Sequence, residues 1–391
     1  MKKKVDPLGN SKIKVPFFLP NITSTEKKNM IKILDSNLLT NGPNLVKFEE
    51  EFKKYTKSKF SIGVSNATSA LHLSLIANGI KKGDEVIIPD ITFAATANTV
   101  LMNGAKPVFA DVNLDDYNIN INSIKKNISK KTKAIIPVHF AGNPCNMSEI
   151  LKIAKKFKLK IIEDCAHSIG SFYRKKHVGT FGESGCFSFY PTKNITTLEG
   201  GMIICRDKTK FEFMKTIRNH GITKSLKERY QNGLPWEYDI EKEGYNYRMD
   251  ELRANLGYNQ LKRIKKINQL RKNASDYYTY KLKDVEGLEF QNIQKNNTSS
   301  YHLYVIRIKE DFGISRNDVF RKLLKKGIQT SVHYKPLHMF SIFKNFNNKK
   351  LDNSKILFNE ILSLPLYTEI KKEHQDLVIK ELISLKIKKI I

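Results

Sequence analysis

The sequence predicts an α/β protein, with a large domain on a mostly parallel sheet covered by helices on both faces and a smaller α+β domain after it. Three observations carry this expectation. Apolar runs of strand length alternate with helical patterns between Leu45 and Cys205, a long helical stretch follows near residue 250, and the remainder mixes helix and strand without that alternation.

In LVKFEEEFKKY, Leu45, Phe48, Phe52 and Tyr55 recur at helical spacing. FSIGVSNATSALHLSLIANGI runs from a strand through a small polar turn into a helix, and DEVIIPDITFAATANTVLMNGAKPVFADV repeats strand, loop, helix and strand. KAIIPVHFAG, KLKIIEDCAHSIG, GCFSFY and GMIICRD read as further strands. Strands interleaved with helices imply parallel pairing and ligands bound at the carboxyl ends of the strands. GYNYRMDELRANLGYNQLKRIKKINQLRKNASDYYTYKL carries Leu252, Leu256, Leu261, Ile264 and Ile267 in one long helical pattern, a bridge between domains. Beyond it, SSYHLYVIRIKE reads as a strand, SRNDVFRKLLKKG as a capped helix and IQTSVHYKPLH as strand and loop. The expected division is a large domain over residues 1–265 and a small one over 266–391.

The 68 Lys and Arg residues against 39 acids give a charge of +29. Such a field attracts polyanions, and the alternative is biased lysine usage. Lysine is spread along the whole chain, with no basic block interleaved with aromatics and no zinc-finger or RNA-recognition signature, so nucleic acid is not an expected partner. The same field would help to capture a nucleotide diphosphate. No apolar run approaches the ~18 residues of a membrane span, and MKKKVDPLGN lacks the apolar core of a signal peptide. A cytoplasmic protein without membrane contact is expected. Cys145, Cys165, Cys186 and Cys205 show no CxxC spacing, which predicts reduced, mostly buried thiols and no metal site.

The chemistry-bearing residues gather at predicted strand ends. Asp164 follows the apolar run KIIE. Ser65, Asn66, Ala67, Thr68 and Ser69 form a turn into a helix, whose free N–H groups and hydroxyls suit a phosphate. Phe93 lies in the loop after EVIIP, and Ser188 and Lys193 occupy a strand and its exit. Pyridoxal phosphate asks for this set: a lysine for its aldehyde, an acid for its ring nitrogen and a cup for its phosphate. Each member alone has a plainer reading, as a solvated lysine, a turn-capping Asp, a helix cap or an aromatic closing the core.

SNATSALHLSL, IIEDCAHSIG, FSFYPTKNITTLEGGM and GYNYRMDELRA, in this order, resemble the motif series of the DegT/DnrJ/EryC1/StrS family of sugar aminotransferases. The resemblance spans nearly the whole chain. It implies the aspartate aminotransferase fold (fold type I) and a homodimer with each site at the subunit interface. It also implies that Lys193 binds the cofactor aldehyde, Asp164 pairs with the ring nitrogen, His167 lies near the ring oxygen and Phe93 stacks on the ring. Ala67, Thr68 and Ser188 would hold the phosphate, with Asn246 reaching it from the partner subunit; the alternative for Asn246 is a turn residue. L-glutamate is the implied donor and a nucleotide-linked ketosugar the implied acceptor. PTKNITTLEGG resembles members acting at C4 of 4-keto-6-deoxy sugars more than the PGKNLGA type of 3-ketosugar enzymes, but carries Tyr190 where His is common and Leu198 where Gly is common. Tyr190 either contacts the sugar or packs under the lysine loop. His333, Tyr334 and His338 in VHYKPLH either touch substrate or pack between domains. Two competitors remain: the related sugar dehydratases, which carry histidine at the position of Lys193, and a non-catalytic basic binding protein on the same fold.

Overall fold

The computed structural model describes residues 13–224, 226–231, 233–346 and 350–386. All seven expected strands form: β1 (Phe60–Val64), β2 (Glu85–Pro89), β3 (Lys106–Ala110), β4 (Thr132–Ile135), β5 (Lys160–Asp164), β6 (Ser184–Ser188) and β7 (Gly201–Cys205). They make one sheet in the order β1-β7-β6-β5-β4-β2-β3. Pairing is parallel from β6 through to β3, while β7 runs antiparallel to both of its neighbours. Successive residues alternate between faces. Phe187, Met202 and Ile204 enter one core with Phe48 and Phe52, while Cys186 and Ile203 enter the other with Leu71 and Phe109. Both faces are covered, so these strands read as continuous apolar runs.

Helices α1 (Ser24–Leu34) and α2 (Pro43–Thr56) precede the sheet, α3 (Ala67–Ala77) follows β1 and α4 (Ala94–Met102) follows β2. Helix α2 starts at Gly42, which supplies no side-chain cap. The cap comes from Glu251, whose buried carboxylate accepts the N–H groups of Gly42 (3.0 Å), Asn44 (2.7 Å) and Leu45 (3.1 Å) and the Asn44 amide (2.8 Å). An anion at the start of a helix meets both its free donors and its dipole. The helix it secures places Phe48 and Phe52 against Phe189, on the strand exit that leads to Lys193, with ring centroids 5.3 and 5.8 Å away.

The long pattern after residue 250 is two helices rather than one, α5 (Glu251–Lys262) and α6 (Ile264–Leu282). They meet at Arg263, whose guanidinium is drawn to Glu26 and Asn21. The division expected between residues 265 and 266 falls in the first turn of α6. Strands β8 (Leu288–Phe290), β9 (Tyr304–Ile308) and β10 (Ile361–Leu364) form an antiparallel sheet in the order β8-β9-β10, packed with α6 and the Ser315-capped helix α7 (Arg316–Lys325) in a third core.

Two expectations are corrected here. SSYHLYVIRIKE pairs only over Tyr304–Ile308, because Tyr301 takes a left-handed φ of 51° and turns the preceding residues out of the sheet. IQTSVHYKPLH forms no strand. It touches the sheet through one bridge, Ser331 to Ser363, and then crosses to the large sheet, where Leu337 is buried and Asp90 accepts His338 N and Nδ1. All four cysteines are free and buried. Among the described residues no helix is long and apolar enough to cross a membrane.

Candidate active site

Asp164 ends β5 and Ser188 ends the neighbouring β6, so both stand at the carboxyl edge of the sheet. Asp164 is 5% exposed; its Oδ1 accepts Ala166 N at 3.1 Å and its Oδ2 accepts the Thr96 hydroxyl at 2.9 Å. Burial pushes the carboxyl pKa up, against these hydrogen bonds and the charge of Lys193. Lys193 lies on the loop after β6, its N–H bonded to Tyr190 O at 2.9 Å. Burial lowers its pKa to about 8, with Asp164 pulling the other way. The two groups thus feel one another across a poorly solvated site.

Strand register brings Val64, Gly201 and Ser188 side by side. A Cβ on Gly201 would come within 2.6 Å of Asn66 C and O and 2.8 Å of Ala67 N, so only glycine lets β7 lie against the start of α3. Asn66 caps that helix by accepting Ser69 N at 2.8 Å. The N–H groups of Ala67 and Thr68 donate to no protein acceptor among the described residues, and they open beside Ser188. A helix start with free donors next to a serine hydroxyl suits a phosphate. Together with the lysine and the buried carboxylate, the donor set fits pyridoxal 5′-phosphate.

His167 is buried, and Ala141 N donates to its Nδ1 at 3.3 Å. The ring proton is therefore on Nε2, which donates to Tyr334 Oη at 2.9 Å. Phe93, at the N-cap of α4 and 62% exposed, has its ring 6.0 Å from that of Tyr334. His333 bonds Ser363 Oγ through Nδ1 at 2.9 Å and lines, with Lys193 and Tyr334, a small cavity. The structure thus gathers Lys193, Asp164, His167, Phe93, His333 and Tyr334, with Ala67, Thr68 and Ser188 at the neighbouring strand ends.

Tyr190 is 48% exposed and does not line that cavity. Asn246 is exposed, its backbone bridged to Asn219, and no described contact joins it to Lys193 or Asp164. Its neighbours Tyr245 and Tyr247 stack at 5.1 Å, and Tyr247 bonds His72 at 3.2 Å. His338 is held by Asp90 and does not line the cavity shared by Lys193, His333 and Tyr334. Leu198 has φ 70°, a left-handed backbone that favours glycine and explains why its place is one where glycine is common.

Sequence reasoning missed Thr96, Asn194 and His302. Thr96 is 68 residues from the carboxylate it serves. Asn194, next to Lys193, bonds the backbone of Ser300 and the side chains of Asn268 and His302. Its place beside the lysine was the one available signal.

Fold and donor set together define a class, the pyridoxal-phosphate-dependent aminotransferases of fold type I. Comparison with known proteins narrows it. Residues 20–383 match the model of the DegT/DnrJ/EryC1/StrS aminotransferase family. Over 371 residues the chain is 35% identical to the spore coat polysaccharide biosynthesis protein SpsC of Bacillus subtilis (strain 168), covering 94% of this chain and 95% of that one. PseC of Helicobacter pylori, an aminotransferase involved in the biosynthesis of pseudoaminic acid, superposes with a TM-score of 0.88 at 31% identity, covering 95% of this chain and 99% of that one. Spr1654 of Streptococcus pneumoniae, in its PMP-form, gives a TM-score of 0.89 at 29% identity over 95% and 99% of the two chains, and is also solved in a PLP-form. The chain belongs to the DegT/DnrJ/EryC1/StrS aminotransferase family. It is a sugar aminotransferase whose cofactor is pyridoxal phosphate.

Proposed function

We propose that this enzyme moves an amino group from L-glutamate to C4 of a nucleotide-linked 4-keto-6-deoxyhexose, supplying an aminosugar for a surface polysaccharide or glycan, in the cytoplasm. The observation that carries the choice of C4 is PTKNITTLEGG around Lys193. The names of SpsC and PseC, which concern polysaccharide and pseudoaminic acid biosynthesis, support the downstream use.

Bound pyridoxal phosphate supplies an electron sink for the carbon whose nitrogen is exchanged. Asp164, oriented by Thr96 and Ala166, receives the positive ring nitrogen. Lys193 would hold the cofactor's aldehyde and, as a free amine, carry a proton at Nζ; a lysine whose pKa is about 8 does so near neutral pH. Ala67, Thr68 and Ser188 would take the phosphate and Phe93 would stack on the ring, while His167, both of whose ring nitrogens are already bonded to Ala141 N and Tyr334 Oη, would lie near the ring oxygen. His333, Tyr334 and Tyr190 face the sugar. Asn246, which is exposed and has no described contact with the site of its own chain, completes the phosphate cup of a second copy, so the active unit is a homodimer. Among the described residues, those up to 265 form the large domain, except that Val15 packs in the core of the small one, and those from 266 form the small domain.

The test is the visible spectrum of the purified enzyme with pyridoxal phosphate, before and after L-glutamate. Conversion to the pyridoxamine form supports glutamate as donor, and a subsequent screen of 4-keto and 3-keto nucleotide sugars reads the acceptor. A spectrum that ignores glutamate, or turnover of 3-keto sugars alone, refutes the corresponding part of the assignment.

A further inference from the structure

His302 stands beside the site with no role yet given. It is buried, and its ring packs on that of His167 with centroids 4.4 Å apart. A chain of hydrogen bonds fixes its tautomer. Asn268 Nδ2 donates to the carbonyl of Ile169 at 3.0 Å, so Asn268 Oδ1 is free to accept from Asn194 Nδ2 at 2.7 Å. Asn194 Nδ2 also donates to the carbonyl of Ser300 at 2.7 Å, which leaves Asn194 Oδ1 as the acceptor facing His302 Nδ1 at 3.2 Å. Two backbone carbonyls, which can only accept, therefore place the imidazole proton on Nδ1. Nε2 carries a lone pair, and among the described residues no protein atom donates to it.

The ring lines a cavity of about 40 Å³ shared with Thr192, Lys193, His333 and Tyr334, the rest of its wall being apolar. That space is large enough for one water molecule, and the polar groups around it supply the partners a buried water needs. Burial, followed by the charges of His167 and Lys193, drives the His302 pKa well below the ordinary imidazole value, so the lone pair is present at neutral pH.

We propose that His302 is a positioning residue whose Nε2 holds a water molecule against Lys193, the water consumed in amino transfer. Transamination hydrolyses a carbon–nitrogen double bond. The water oxygen forms the new C=O bond, the C=N bond breaks, and both water protons end on the nitrogen. A water already held by an acceptor beside the lysine costs little further ordering when the reaction takes it up.

His302→Asn keeps a donor for Asn194 Oδ1 but has nothing where Nε2 stood, whereas His302→Gln restores an acceptor near that place. A crystal structure of the cofactor-free wild type showing ordered water within hydrogen-bond distance of Nε2, lost in His302→Asn, is the expected result. With L-glutamate, formation of the pyridoxamine form should slow about 10- to 100-fold in His302→Asn at unchanged cofactor affinity, and recover in part in His302→Gln. A dry cavity in the wild type, or a His302→Asn enzyme as fast as the wild type, overturns the proposal. The inference rests on the role proposed for Lys193, and the two fail separately: activity in Lys193→Ala removes that role, while the water at His302 is read without cofactor or donor. If His302→Asn does not fold, the wild-type cavity alone decides.

Discussion

Replacing Thr96 with valine removes the hydroxyl that bonds both Asp164 and Thr92 while keeping the shape of the side chain. The Thr96 hydroxyl donates to Asp164 Oδ2 at 2.9 Å and, as acceptor, takes the proton of Thr92 Oγ1 at 2.9 Å; the residue is fully buried. A hydrogen bond to a buried charged group contributes about 1.5–3 kcal/mol. Since about 1.4 kcal/mol is tenfold, Thr96→Val should weaken binding of pyridoxal phosphate to the cofactor-free protein roughly 10- to 150-fold. The sign of the pH effect follows as well. Burial raises the pKa of Asp164 and the Thr96 hydroxyl opposes that rise. Its loss lets the carboxylate take up a proton at higher pH, so the acid limb of cofactor binding moves upward. Equilibrium titration by absorbance from pH 5 to 9 reads both effects, and Thr96→Ser, which keeps the hydroxyl, should restore them. Affinity and acid limb within twofold of the wild type would refute the view that this bond keeps Asp164 charged.

In the cofactor-free protein the neutral Lys193 amine is the nucleophile, so stopped-flow capture of pyridoxal phosphate should quicken with pH around a midpoint near 8; a midpoint near the ordinary lysine value would contradict the burial of this amine. Asp164→Asn should abolish most amino transfer yet raise the melting temperature of the cofactor-free protein. A carboxyl whose folded pKa is raised contributes stability below its unfolded value, about pH 4, and loses it as pH rises through the folded value, so the gain should be present at pH 7 and fade toward pH 4. Finally, Lys193→Ala and Asn246→Ala subunits, each nearly inactive, should recover about a quarter of wild-type activity when refolded together in equal amounts, since half the dimers then carry one intact shared site. No recovery on mixing would argue against the shared site.

Much of this was legible in the sequence, for reasons that are local. A strand buried on both faces must be apolar throughout, which made KIIED and CFSFY visible, and a residue at the end of such a strand is held at the sheet edge, which made Asp164 and Ser188 candidates. The lysine loop was legible because its motif is dense. What escaped depends on contacts between distant segments. The hydroxyl of Thr96 has no local signature and acquires its role when α4 meets β5. His302 sits in what reads as a strand, and only the left-handed turn at Tyr301 swings it toward the lysine. That IQTSVHYKPLH makes only isolated bridges, at Ile328 to Val15 and at Ser331 to Ser363, is likewise invisible in its sequence, whose alternation looks like a full strand.

The carboxylate of Glu251 closing a helix 206–209 residues earlier has a consequence for how the chain is made. Protein synthesis adds about 5–20 residues per second, so α2 waits about 10–40 s on the ribosome for the group that secures its first turn. Over most of that time β1 also lacks its partner β7, and the apolar flanks of Phe48 and Phe52 lack Phe189. The nascent segment is then a sticky, unpaired edge, and it stays one until β7 and α5 emerge.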